Sequence, residues 1–211
     1  MLKLMNQGGP LMWVILLNAF IALVIFLEKY FHFHRAQINT TDFINGIRNA
    51  ISRGNLNEAQ ATCDDTPGPV PAVVKAGIIN VDRSREEIRE AMEDAARVEI
   101  ARLERRLPVI ATIAQITPLI GFLGTVLGMI QLFKVIQYAQ LPSPGQLAGG
   151  VWEALLTTAA GLTVAVPAYV AYNYLVSRVQ NLVLEMEKAA NDSIGILTRA
   201  EQPVEPVVPV K

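Results

Sequence analysis

The chain has 211 residues, of which 52% are hydrophobic and only 18% are charged, and its mean hydropathy is +0.34. Soluble globular domains usually contain about 25% charged residues, so this composition excludes an ordinary soluble domain and predicts a membrane protein. The net charge of −1 provides no basic excess for a nucleic-acid partner.

The first long apolar segment covers residues 10–31 and follows a short N-terminus of residues 1–9. It comes close to the ~20 apolar residues that a spanning helix needs, and aromatic residues flank it at both ends. Its apolar run is long for the core of a signal peptide, and it ends at Glu28 and Lys29 without a small-residue cleavage site. We therefore expect it to be retained as transmembrane helix 1.

Residues 32–106 form a more polar region with several helical patterns. Caps and breakers predict short helices over Phe43–Ser52, Leu56–Cys63 and Val70–Val81. From Ser84 onward the pattern predicts one long helix of roughly 50 residues that continues into the second apolar segment, kinked but not ended at Pro108.

Two longer apolar segments follow, over residues 107–135 and 147–177, with a short loop of residues 136–146 between them. The third segment continues into a helical extension over residues 178–200, and a proline-rich flexible tail covers residues 201–211. The predicted fold is an all-α membrane protein with three transmembrane helices, two of them long and continuing into a helical cytoplasmic region.

The distribution of basic residues predicts the orientation. Most of the Lys and Arg lie in residues 32–106 or after residue 177, whereas the N-terminus has only Lys3 and the loop of residues 136–146 has none. Cytoplasmic loops of membrane proteins are enriched in Lys and Arg. We therefore expect the N-terminus and this loop outside the cell membrane, and the remaining polar regions in the cytoplasm.

Glu153 is the only charged residue between Lys134 and Arg178, and it lies within an apolar run long enough to cross a bilayer. A carboxylate in hydrocarbon costs about 2.5–3.5 kcal/mol on insertion scales, so such residues usually face a bundle interior or a water-filled path. The pattern indicates a proton or ion site.

Hydroxyl side chains accompany this carboxyl group. Thr157 or Thr158, together with Gly161, follows Glu153 along one side of the helix, and Thr125 on the facing helix could complete a polar track. Threonine both donates and accepts hydrogen bonds without carrying charge, so it can relay a proton. Because threonines but no second acidic residue accompany Glu153, the pattern favours a proton site over a sodium site. Thr117 and Thr157 are supporting polar residues in this hypothesis.

Small residues recur at helical spacing in the second apolar segment, where Thr117, Gly121 and Thr125 lie four positions apart. Small residues on one face allow two membrane helices to approach closely. We interpret the glycines as helix-packing residues: Gly121, Gly124, Gly128 and Gly161.

Three groups of residues allow a different interpretation. Glu153 could serve as the ion-pair partner of Lys134 and hold the helices in register. His32 and His34 could ligate a metal, but on a helix they point apart, so we expect interfacial histidines. Cys63 has no metal-ligand company. The sequence contains no nucleophile with a base, no phosphate loop and no metal cluster, so we predict neither an enzyme nor a cofactor.

Two long strings carry a family resemblance. Residues 117–133 read TPLIGFLGTVLGMIQLF, and residues 147–176 read LAGGVWEALLTTAAGLTVAVPAYVAYNYLV. Both closely resemble the proton-channel family that includes ExbB, TolQ and MotA. The opening GGPLMWVILLNAFIALVIFLEK of residues 8–29 is similar to the first span of the ExbB branch, so the resemblance covers nearly the whole chain.

The resemblance implies a homopentamer in the bacterial inner membrane, with a periplasmic N-terminus and a cytoplasmic C-terminus, around single-span partners of the ExbD or TolR type. It implies use of the proton-motive force, with a TonB-like protein, to energise outer-membrane transport. The alternatives are a TolQ-like role in envelope maintenance and a structural cage around a proton-carrying partner helix. By motif, Thr125, Glu153 and Thr158 match the family's proton-pathway residues, and membrane lipids are the surrounding partners.

Overall fold

The structure is a computed structural model that describes residues 9–138 and 144–200. The expectations for the first eight residues, for residues 139–143 of the predicted loop and for the proline-rich tail lie outside these ranges. The described chain contains seven helices: α1 (Gly9–Ala36), α2 (Thr40–Ser52), α3 (Leu56–Asp65), α4 (Pro69–Ile79), α5 (Arg85–Glu104), α6 (Leu107–Tyr138) and α7 (Pro144–Ala200).

Three stretches of the described chain are long and apolar enough to cross a membrane. They are α1, the run formed by α5 and α6, and α7, with mean hydropathies of 2.6, 2.0 and 1.6 over their most apolar windows. In the second stretch the apolar part is α6, because α5 is rich in charged residues. The prediction of an all-α protein with three membrane-spanning helices is confirmed.

The chain divides into two compact units. One, the spanning unit, comprises Met1–Tyr30 and Arg106–Val176, and the other, the helical module, comprises Phe31–Arg105 and Ser177–Lys211. The candidate residues on α6 and the first part of α7 all belong to the spanning unit.

Helices α2 to α5 of the helical module begin at residues suited to that position. Asn39 accepts a hydrogen bond from the backbone N–H of Asp42, so α2 starts three residues before the predicted Phe43. At α5, the Ser84 hydroxyl and the Glu87 carboxylate each bond the other's backbone N–H. Such caps satisfy N–H groups that have no partner within the helix.

Buried apolar side chains form the core of the helical module around α4 and α5. Val73 and Ile88 are fully shielded from solvent, and Met92 is 1% exposed. A Cβ added to Gly77 would lie 2.7 Å from Met92 Sδ and 3.2 Å from Leu197 Cδ1, so α4, α5 and α7 meet closely here. Close packing of this kind is the main source of stability for short helices.

The helical run is interrupted between α5 and α6, where the sequence predicts a continuous kinked helix. Helix α5 ends at Glu104, and Arg106 adopts a φ of 74°, in the left-handed region. Pro108 lacks a backbone N–H, and its ring would clash with the carbonyl of residue 104 in a continuous helix. The Arg106 guanidinium forms an ion pair with the Glu28 carboxylate of α1, which helps to hold this backbone conformation.

Candidate functional site

The site is formed where glycines of α6 face small residues of α7. A Cβ added to Gly128 would lie 2.9 Å from the Ala154 Cβ, and one added to Gly124 would overlap the Thr157 side chain. Gly124 and Gly128 are themselves buried. The two backbones can approach this closely only because these positions carry no side chain.

The same contact extends along both helices in antiparallel order. A Cβ added to Gly161 would lie 2.9 Å from the Thr117 carbonyl oxygen, and one added to Gly121 would lie 3.0 Å from the Thr157 carbonyl oxygen. All four glycines that the sequence marks for helix packing therefore lie in the contact between α6 and α7.

Thr157 and Thr158 of α7 both form hydrogen bonds at this contact, one within α7 and one across to α6. The Thr158 hydroxyl donates across the helix pair to the Gly121 carbonyl oxygen at 2.9 Å. The Thr157 hydroxyl donates within α7 to the Ala154 carbonyl oxygen at 2.8 Å, and its residue is 2% exposed. The structure thus places Thr157 and Thr158 against the glycines of α6.

Thr125 has a different environment. Its hydroxyl donates to the Phe122 carbonyl oxygen of its own helix at 2.6 Å, and the residue is only partly buried. In the described chain, the hydrogen bond that joins the two helices at this level comes from Thr158 and ends on Gly121. Thr125 and Thr158 are therefore on facing helices but are not hydrogen-bonded to each other.

Thr117 is fully buried, and its hydroxyl connects α6 to α1. Its hydroxyl donates to the Ile113 carbonyl oxygen at 2.6 Å and accepts a hydrogen bond from Asn18 Nδ2 at 3.4 Å. Asn18 is not among the residues predicted from the sequence. A signal was present, because Asn18 is the one polar side chain between Pro10 and Leu27.

Glu153 lies on α7 one turn before Thr157 and is partly buried. Its Oε1 atom lies 2.8 Å from the position of a Cβ added to Gly9, the first residue of α1. Lys134 is exposed, and among the described residues it forms no ion pair with Glu153. The alternative in which these two residues pair is therefore not realised in the described chain.

The register of α6 and α7 explains why that pair does not form. A Cβ added to Gly128 lies 2.9 Å from the Ala154 Cβ and one added to Gly150 lies 3.2 Å from the Leu132 Cβ, so α6 runs away from the level of Glu153 as it passes from Gly128 to Lys134. The three positions from Gly150 to Glu153 alone span about 4.5 Å along a helix axis.

The remaining candidates lie in or beside the helical module. Cys63 is 5% exposed, and burial raises the pKa of its thiol to about 11, with a further rise from Asp64 and a smaller opposing effect of Lys75. A thiol with this pKa stays protonated and is a poor nucleophile and metal ligand at neutral pH. Within residues 9–138 and 144–200, His32 and His34 belong to no group of three residues that could hold a metal ion.

Comparison with known families decides the class of this chain. Residues 65–188, more than half of the chain, match the family model described as the MotA/TolQ/ExbB proton channel family. The chain belongs to this family. The match includes all of α6 and most of α7, and therefore every glycine and threonine of the contact described above. The family is a transport family and not an enzyme class.

Individual relatives within the family carry two names. A biopolymer transport protein ExbB homolog of Methanothermobacter thermautotrophicus is 26% identical over 187 residues, which cover 88% of this chain and 66% of the relative. The Tol-Pal system protein TolQ of Pseudomonas aeruginosa is 32% identical, covering 71% and 69%. The biopolymer transport protein ExbB of Salmonella typhimurium is 33% identical, covering 58% and 58%. The chain thus spans 58 to 69% of the length of these relatives.

Proposed function

We propose that the protein is a proton-channel subunit that uses the proton-motive force, with an ExbD-type partner, to energise TonB-dependent outer-membrane transport. The observation that carries the proposal is Glu153, a partly buried carboxyl group in a spanning helix, one turn before the hydroxyls of Thr157 and Thr158. Ionisable groups at such depth are costly and typically belong to ion or proton paths.

The proposed path uses three side chains. Glu153 takes up and releases the proton, while Thr158 and Thr125 offer hydroxyls that both donate and accept. Thr157 and Thr117 support them from the α6–α7 contact. One elementary charge that crosses 100 mV yields about 2.3 kcal/mol, so a few protons can drive a mechanical step in a partner.

The assembly and orientation belong to the same proposal. We infer a homopentamer in the bacterial inner membrane that surrounds single-span ExbD- or TolR-type helices and acts on a TonB-like protein. Residues 1–9 and 136–146 face the periplasm, and residues 32–106 and 178–211 face the cytoplasm. The support is the family membership and the concentration of Lys and Arg in the cytoplasmic segments.

A TolQ-like role in envelope maintenance is the second candidate, and the 32% identity to a TolQ favours it as specifically as the ExbB matches favour the first. Expression of the chain with its own partner in a host that lacks its ExbB and TolQ separates the two. Restored iron-siderophore uptake supports the ExbB role, whereas restored detergent resistance alone supports the TolQ role.

The proton role is tested by flux into liposomes that contain the chain and its single-span partner. Glu153→Gln keeps the shape of the side chain but removes its ionisation, so we expect intact assembly and a flux at least about tenfold lower. Glu90→Gln, on the exposed face of α5, is the matched control and is expected to conduct like wild type. Wild-type flux in Glu153→Gln would contradict the proposal and favour the structural cage.

A further inference from the structure

The first residue of α1 lies against the Glu153 carboxyl group. A Cβ added to Gly9 would be 2.8 Å from Glu153 Oε1, closer than real Cβ contacts, and no other described atom outside α1 itself lies within 4 Å of that position. Gly9 also has a φ of +68°, in the left-handed region that side chains rarely adopt. The backbone conformation therefore favours glycine, and the short distance means that a side chain here would move the flexible end of Glu153.

The packing of α1 along α7 supports this contact independently. Ala22 and Ala168 belong to one buried cluster, and the Tyr30 and Tyr174 rings stack with their centroids 6.4 Å apart. These pairs are 146 and 144 positions apart in the chain, and Gly9 and Glu153 are also 144 apart. Since both helices rise equally per residue, parallel packing with this offset brings the start of α1 to Glu153.

We propose that Gly9 is a positioning residue for Glu153, an inference that rests on the proposed proton function. The missing side chain leaves the space in which the carboxyl group lies, beside the start of α1 and one turn before Thr157. A side chain at Gly9 displaces the carboxyl group from this place. A displacement of about 1 Å of a reacting group can cost on the order of 10²-fold in rate.

Two other glycines provide controls for the two features. Gly54 has a φ of +73° but open space around its Cβ position, so Gly54→Ala reproduces the backbone strain without a contact. Gly149 lies on α7, four residues before Glu153, with an ordinary backbone and no atom of the described part of the chain within 4 Å of its Cβ position. Gly149→Ala therefore adds a methyl group near Glu153 without touching it.

The test combines proton flux with the rate at which dicyclohexylcarbodiimide modifies Glu153, followed by mass spectrometry of the whole chain reconstituted with its partner. We expect Gly9→Ala to lower the flux by about 10²-fold and to change the modification rate about tenfold or more. Gly54→Ala and Gly149→Ala should match wild type in both. A modification rate within about twofold of wild type in Gly9→Ala would overturn the proposal.

A second variant covers poor folding of Gly9→Ala. Asparagine tolerates the left-handed region better than other residues, so Gly9→Asn relieves the strain but keeps the contact with Glu153. It should reproduce the altered modification rate. In a Glu153→Asp background, where the acidic side chain is one methylene shorter, substitution of Gly9 should no longer change the modification rate. An unaltered rate in Gly9→Asn would overturn the proposal as well.

Failure of this inference is distinguishable from failure of the proposed function. Wild-type flux in Glu153→Gln refutes the proton role, whereas the modification rate still reports whether Gly9 positions the carboxyl group. Loss of flux in Glu153→Gln together with wild-type behaviour of Gly9→Ala and Gly9→Asn refutes only the role of Gly9.

Discussion

Gly124 shows how strictly a single position can be constrained, because the Thr157 side chain occupies the space that a Cβ would need. We expect Gly124→Ala to destabilise the protein by about 1–3 kcal/mol, since the methyl group must push two packed helices apart. Reversible unfolding in mixed detergent micelles measures this difference.

The matched control is Gly149→Ala on α7, where the added methyl group meets no other atom of the described residues within 4 Å. Alanine has the higher helix propensity, so this variant should be as stable as wild type or up to about 1 kcal/mol more stable. Equal stability of Gly124→Ala and Gly149→Ala would show that the α6–α7 contact does not depend on the missing side chain.

The site could be predicted from sequence only in part. Glu153 is visible because it is the one charge in a long uncharged stretch. The hydrogen-bond partner of Thr158 was not predictable, because helical periodicity places a residue on a face but does not reveal that a glycine exposes its carbonyl oxygen there. Asn18 and Gly9 were missed for another reason: their partners are more than 90 positions away in the chain.

At the scale of single helices, the start of α5 offers a pH-dependent test. The Ser84 hydroxyl and then its backbone N–H donate to the Glu87 carboxylate and lower the pKa of that group. A lowered pKa in the folded state contributes stability above the unfolded pKa of about 4.3, and this stability is lost as the pH falls through the folded pKa.

We therefore expect Glu87→Gln to be less stable than wild type at pH 7 and to lose this difference below about pH 4. Chemical unfolding followed by circular dichroism across this range measures it. Glu86→Gln changes the same turn of α5 at a residue outside the capping pair and should keep a constant difference from wild type. A difference for Glu87→Gln that stays constant as the carboxylate is protonated would contradict the capping role.

The helices themselves were largely predictable, but their ends were not. Apolar runs of sufficient length identify the three spanning helices, because hydrophobicity alone determines which segments can cross a bilayer. The end of α5 at Glu104 follows instead from the steric clash of Pro108 and comes with the left-handed backbone conformation of Arg106. Helical periodicity reveals neither feature, because the stripe of apolar positions continues across the break.

At the scale of the whole molecule, the proposed orientation can be read out with single cysteines. Cys63 is the only native cysteine, so Cys63→Ala gives a background free of thiols. In it, Asn57→Cys reports on the proposed cytoplasmic region, and Gln137→Cys reports on the proposed periplasmic loop. Both native side chains are exposed, so accessibility should depend on the side of the membrane.

We expect a membrane-impermeant maleimide to label Gln137→Cys in cells with an opened outer membrane, and to label Asn57→Cys only after the inner membrane is permeabilised. This follows from the positive-inside rule, since the basic residues surround Asn57 and are absent from the loop after Gln137. Labelling in the opposite order would contradict the proposed topology and would reverse the side from which the proposed proton path opens to Glu153.

The α6–α7 contact and the core of the helical module also differ in the substitutions that each can accept during evolution. Where α6 meets α7, the positions of Gly121, Gly124 and Gly128 leave no room for a larger residue. In the helical module, the volume at Ile88 and Met92 can be exchanged among Leu, Ile and Met at little cost. Distant homologues should therefore keep the membrane glycines long after the module has lost recognisable identity, and searches that weight those glycines will reach further.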